Sequence, residues 1–276
     1  MRKTKLGALL LAAILIVGCL TLVGCGNSPQ SGKQPVDPSK TSTPAVADKG
    51  DSLTVYSGAG LRVAMDEIGQ AFEQKYGVKV NYNYAGCAQL LSQMELSKQG
   101  DVFVGGSLND MEIATQKGFT SKYYEVVYHI PAIGVPKGNP AQITCLADMA
   151  KPGVKLVLGD EQSNAIGKKG AKIFAKNGLQ EGVNKNVVAR DATVNEIVTH
   201  LAMKQGDAGL IWEDNGFGAK DIEVVSIPPE QNVIDKVPVC VLSFSGKTEL
   251  AQKFADYVIS PEGKALFVKH GFKPIE

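Results

Sequence analysis

The chain has no surplus of charge of either sign: 29 Lys and Arg stand against 28 Asp and Glu, a formal net charge of +1. That balance excludes the broad basic face of nucleic-acid-binding proteins and of proteins held on anionic membrane surfaces, so any bound anion has to be held locally. Cysteine is scarce. Beyond residue 25 only Cys87, Cys145 and Cys240 remain. An odd number excludes a full disulfide framework, leaves room for one pair, and reads mostly as free thiols. No recognisable catalytic motif surrounds Cys87 or His129. Large apolar residues are almost missing from residues 26–52, where Ser, Pro, Lys, Thr and Asp dominate, and this stretch is expected to be a disordered tether.

What is present points to a globular protein with a leader. At 276 residues, 44% hydrophobic and 21% charged, the chain can bury one large core or two ordinary ones. Arg2, Lys3 and Lys5 precede an apolar run over residues 6–23 that closes in Leu22-Val23-Gly24-Cys25. A cleaved leader or an uncleaved membrane anchor fits such a run, and both place the remainder outside the cytoplasm.

From Leu53 onward, strand, glycine turn and helix recur. Leu53-Thr54-Val55-Tyr56 is a short apolar strand that breaks at Ser57-Gly58-Ala59-Gly60, and Leu61 to Tyr76 follows with apolar residues at helical spacing and Gly77 as its stop. Val78 to Tyr84 alternates and breaks at Ala85-Gly86-Cys87 before a second helix; Asp101 to Val104 breaks at Gly105-Gly106, with Ser107 as the N-cap of a third. After residue 126, Tyr128 to Pro136 is extended and carries two prolines, which suits a crossover better than a central strand. A second alternating pattern then runs through Lys155 to Leu158, a helix opening at Asn164-Ala165, a strand at Val187 to Ala189, the capping box Thr193-Val194-Asn195-Glu196, and Ala208 to Trp212. Residues 226–236 read as a return crossing. Val237 to Phe244 is a strand, and Ser260-Pro261-Glu262 opens the last helix.

Alternating units of this kind imply an α/β fold of two lobes, each a mostly parallel sheet flanked by helices, with the ligand in the cleft between them at the carboxyl ends of the strands. The expected division is residues 1–25 as leader, 26–52 as tether, 51–130 with 237–276 as the first lobe and 131–236 as the second. Free N–H groups and the positive ends of helix dipoles at Gly60, Cys87, Ser107, Ala165 and Val194 favour an anion. No basic residue lies inside those turns, though Arg62, Lys168, Lys169 and Arg190 are near in sequence.

The segment from about Leu53 to Pro274 resembles the substrate-binding proteins of ABC importers for molybdate and tungstate, within the two-lobed periplasmic binding protein fold of class II. The resemblance rests on Ser57-Gly58-Ala59-Gly60-Leu61, Tyr84-Ala85-Gly86-Cys87, Gly100-Asp101-Val102-Phe103-Val104, Pro152-Gly153-Val154, Leu158-Gly159-Asp160, Ser260-Pro261-Glu262-Gly263 and His270-Gly271-Phe272. The first residues likewise resemble a lipoprotein signal peptide, with Cys25 as the lipidated residue and Cys19 as a weaker match. The resemblance implies a tetrahedral oxyanion held by neutral donors around Ala59, Gly60, Cys87, Gly106 and Ser107 in the first lobe, and around Ala165, Val194 and Trp212 in the second. It also implies an importer permease with its ATPase as partner, a monomer, no cofactor, and no nucleic acid. The family commonly has serine hydroxyls where Gly60 and Cys87 stand and a tyrosine where Trp212 stands. Glu213 and Asp214 are read as salt-bridged to Lys168 or Arg190, or as a cap; alternatively one of them, with Glu213 as the candidate, completes the ligand shell, as carboxylates do in some archaeal relatives. Sulfate, thiosulfate or another small anion is the rival ligand. A sensory binding protein, or an enzyme using Cys87 as nucleophile and His129 as base, is the rival of another class.

Overall fold

The computed structural model describes residues 52–275. Leader, tether and Cys25 therefore lie outside the described residues. The first lobe opens with β1 (Ser52–Gly58), a 3-10 turn (Ala59–Leu61) and α1 (Arg62–Tyr76), followed by β2 (Lys79–Ala85), α2 (Cys87–Ser97), β3 (Val102–Val104) and α3 (Leu108–Gln116). Next, β4 (Tyr124–His129) leads across to β5 (Pro131–Pro136). The second lobe continues with α4 (Leu146–Met149), β6 (Leu156–Gly159), α5 (Ala165–Lys176), α6 (Gln180–Asn186), β7 (Val187–Asp191), α7 (Val194–Ala202), β8 (Gly209–Trp212) and β9 (Ile222–Ser226). The chain returns in β10 (Asp235–Val241) and ends with α8 (Thr248–Ile259), α9 (Pro261–Lys269) and β11 (Lys273–Pro274).

A six-stranded sheet in the order β11-β4-β10-β3-β1-β2 carries the first lobe. Its strand alternation builds two cores. Val55, Val102, Val104 and Val239 face α1, α8 and α9, whereas Tyr56, Phe103, Cys240 and Leu242 face α2 and α3. Helix α1 belongs there because Ala64, Met65, Ile68 and Phe72 fall on one stripe and are buried, and Gly77, at φ +71°, terminates it by donating its N–H to Glu73 O. The core of the second lobe draws on residues between Ile133 and Ile227.

The sheets are mixed, not mostly parallel. β1 pairs with β2 and β3 in parallel, as helical crossovers require, but β10 pairs antiparallel with both β3 and β4. The cause is the double crossing: the chain leaves along β4 and returns along its neighbour β10. In the second lobe β8-β5-β9 is antiparallel, β6 and β7 are parallel, and a parallel bridge from Leu156 to Ala208 joins the two groups.

The prolines near the first crossing also read differently in space. β5 is a central strand, tolerated because Pro131 and Pro136 are its first and last residues. Pro238 sits inside β10, where the ladder with β4 shifts register between Val237 and Pro238.

Candidate functional site

Four helix starts converge on one cavity. From the first lobe come the 3-10 turn leading into α1 and the start of α2; from the second come the starts of α5 and α7. Each leaves N–H groups that its own helix cannot satisfy. Gly58 and Gly86 begin their helices without a side-chain cap. In the second lobe Asn164 Oδ1 accepts from Ile166 N at 3.1 Å, and the expected capping box forms, with Thr193 N donating to Glu196 Oε2 at 2.9 Å. These caps consume donors at the second and third helical positions and leave the first, Ala165 and Val194, turned to the cavity.

Ala59, Gly60, Cys87, Gly106, Ala165, Val194 and Trp212 all line the cavity, so residues up to 153 positions apart in sequence (59 to 212) meet there. Among the described residues, none that lines it is Lys or Arg. Its volume is about 30 Å³, between two and three times the roughly 10–15 Å³ that one water needs. A compact ion of a few atoms suits that space; a drug-sized molecule needing roughly 300 Å³ or more does not.

Glycine at three wall positions is a matter of space. A Cβ on Gly60 would lie 2.7 Å from Val194 Cγ1, one on Gly86 2.9 Å from Ala192 O, and one on Gly106 3.3 Å from Ala165 Cβ. In each case the obstructing atom belongs to the facing lobe. A hydrogen bond spans the same seam, from Asn195 Nδ2 to Ala59 O at 2.9 Å. A side chain at position 60 would therefore press on Val194 of the facing lobe, which accounts for glycine there.

Cys87 is buried and its Sγ accepts from Gly106 N at 3.3 Å. Burial, reinforced by the nearby Asp110 carboxylate, pushes its thiol well above the ordinary range, so the side chain is neutral. All three cysteines of the described residues are free. His129 directs Nδ1 to Gly106 O at 2.8 Å and Nε2 towards Asp214 Oδ1 at 3.4 Å. The two ring nitrogens of His129 are thus directed to Gly106 O and to Asp214, not to Cys87.

Two expected residues stand outside the cavity lining. Ser107 is spent on its own helix: its hydroxyl donates to Asp110 Oδ2 at 2.9 Å and accepts from Asp110 N at 3.4 Å. Glu213 begins the 3-10 turn after β8, where its side chain pairs with Lys273 at 2.9 Å. Neither Lys168 nor Arg190 pairs with the acidic couple; Lys168 lies 3.9 Å from Asp110 and Arg190 2.9 Å from Glu161. His129, which the sequence offered only within the first crossover and as the base of the rival enzyme reading, lines the cavity and stacks on Trp212 at 3.6 Å between ring centres.

Two lobes crossed twice by the chain, with helix starts from both around a small cavity, define a two-lobed solute-binding protein of the periplasmic binding protein fold. Residues 53–273 match the model of the family described as bacterial extracellular solute-binding protein, and the chain belongs to that family. It is 28% identical over 222 residues to a binding protein of Haemophilus influenzae, covering 80% of this chain and 91% of that one. It is 26% identical over 276 residues to the molybdate-binding protein ModA of Mycobacterium tuberculosis, covering 99% of each. The structure of the sulfate-binding protein SubI from the same organism superposes with a TM-score of 0.75 at 19% identity, over 82% of this chain and 88% of that one. Among the described residues no helix is long and apolar enough to cross a membrane.

Proposed function

We propose that this protein captures a tetrahedral oxyanion, molybdate or tungstate, outside the cytoplasm and delivers it to an ABC importer. The observation that carries the reading is the convergence of four helix N-termini on a cavity of about 30 Å³ lined, among the described residues, by no Lys or Arg. Donors fixed in space and lacking counter-charge suit a small dianion chosen by size. The binding residues are Ala59, Gly60, Cys87, Gly106, Ala165, Val194 and Trp212, through backbone N–H groups and the indole. In this reading residues 51–130 with 237–276 close on residues 131–236 by hinge motion at the two crossings, and an importer permease with its ATPase receives the closed form. The protein acts as a monomer tethered to the membrane by lipid on Cys25.

Sulfate is the second reading, favoured by the likeness to SubI. Isothermal titration of the tether-free protein with molybdate, tungstate and sulfate decides between them. Molybdate and tungstate are expected to bind below about micromolar Kd with sulfate at least tenfold weaker. Equal binding of sulfate supports the second reading, and no binding by any of the three refutes both.

A further inference from the structure

The cavity wall holds one ionisable group able to carry positive charge. His129 closes β4, is 1% exposed, and presents its ring to the cavity lining. Because Gly106 O can only accept, the 2.8 Å contact places a hydrogen on Nδ1. Nε2 is buried without a hydrogen-bond partner among the described residues, with Asp214 Oδ1 3.4 Å away. In the neutral ring that contact sets a lone pair against a carboxylate. In the protonated ring it sets an N–H⁺ against it, and the charged ring lies flat on the Trp212 indole, 3.6 Å between centres and 17° between planes, a cation–π arrangement.

The other acidic groups around the ring each have a lysine as their nearest cation. Asp235, opposite His129 on β10, is paired with Lys169 at 2.5 Å. Asp110, beyond Gly106 on α3, faces Lys168 at 3.9 Å. Glu213 and Lys273, from the turn after β8 and from β11, pair with each other at 2.9 Å. Phe272, 5.6 Å away between ring centres, is uncharged. Asp214 accepts besides only a 3.4 Å contact from the neutral Asn215 amide. Asp214 is therefore the carboxylate left for His129.

We propose that His129 is a positioning residue for the anion whose protonation is linked to binding: it orients the Gly106 peptide through Nδ1, and it takes up a proton at Nε2 when a dianion enters the cavity. Asp214 accepts that N–H⁺, so the proton resides between Asp214 and a ring that stacks on Trp212. The inference rests on the oxyanion reading. By linkage, uptake of one proton steepens affinity by at most about tenfold per pH unit.

The test is calorimetric titration of the protein with molybdate and with sulfate between pH 6 and 8, each in two buffers of different ionisation enthalpy. The proposal expects affinity to rise several-fold from pH 8 to pH 6 with net proton uptake. Histidine is the side chain that ordinarily titrates there, and the chain has three. H129Q should lose both slope and uptake, whereas H200Q, whose histidine pairs with Asp191 at 2.8 Å, should keep both. An NMR titration of the wild-type ring covers an unfolded H129Q: addition of molybdate at constant pH should move the His129 ring signals towards the protonated position. Anion binding that is pH-independent in the wild type, or uptake that persists in H129Q, overturns the proposal while leaving the oxyanion reading intact. No anion binding at all overturns both.

Discussion

The two lobes prepare their donor turns in opposite ways. In the first lobe Gly58 and Gly86 stand at the helix starts without a capping side chain; in the second, Asn164 and the Thr193–Glu196 box satisfy part of each terminus from within. The first lobe therefore leaves the N–H groups of its helix starts without a side-chain cap at the cavity wall, and the second holds its turns in shape from within. The glycines also give the first lobe a flat wall, against which Val194, Ala192 and Ala165 of the second close. One side contributes emptiness and the other side chains, and their sum sets the size of the cavity.

Filling the flat wall breaks this comparison most severely. Gly86 has an ordinary extended backbone, at φ −61° and ψ 139°, so space alone demands glycine there. Gly86→Ala sets its Cβ 2.9 Å from a backbone oxygen, and Gly60→Ser sets its own 2.7 Å from Val194 Cγ1. Each should weaken anion binding by at least about a hundredfold, or about 2.7 kcal/mol, while thermal unfolding of the ligand-free protein barely moves. Adding Val194→Ala to Gly60→Ser should recover part of the loss, since it removes the obstructing methyl. Titration calorimetry beside a melting curve measures both.

Loosening the self-capped side should cost less and show mainly as stability. Thr193→Ala removes the hydroxyl that Glu196 N donates to at 3.4 Å and should cost about 1 kcal/mol, a fall in Tm of about 2–4 °C, with binding weakened less than tenfold. A larger loss of affinity than of stability would mean that the second-lobe turn needs its cap to present Val194. The smallest effect belongs to Glu213→Gln. Its pair with Lys273 is partly exposed, at 28% and 57%, so stability should change by less than about 1 kcal/mol and affinity not at all. A clear change in affinity would return Glu213 to the ligand shell.

Much of this was legible residue by residue. Apolar stripes, glycine stops and the Thr193–Glu196 box mark helix ends because they are local physics, and the turns at Gly60, Cys87, Ala165 and Val194, which line the cavity, were visible as helix starts for the same reason. The bonding of Ser107 was not legible, because a hydroxyl at a helix start can face a cavity or serve its own helix, and only the position of Asp110 decides for the hydroxyl. The ion-pair partner of Glu213 was not legible, because it is Lys273, 60 residues away, in place of the expected Lys168 or Arg190. Strand direction misled because alternation reports which faces are buried, not which neighbour a strand meets; β4 and β10 are antiparallel because the chain crosses the cleft twice.

The sequence by itself determined most of the longer helices, the alternation of strands and helices and the glycine turns and caps at the helix starts, all of which follow from periodicity and capping within a few residues. The tertiary structure alone decided that Gly60 faces Val194, that Gly86 faces Ala192, and that His129 lies between Trp212 and Asp214. Those relations span the cleft. They depend on how two separately packed cores meet, and no local pattern encodes the distance between them.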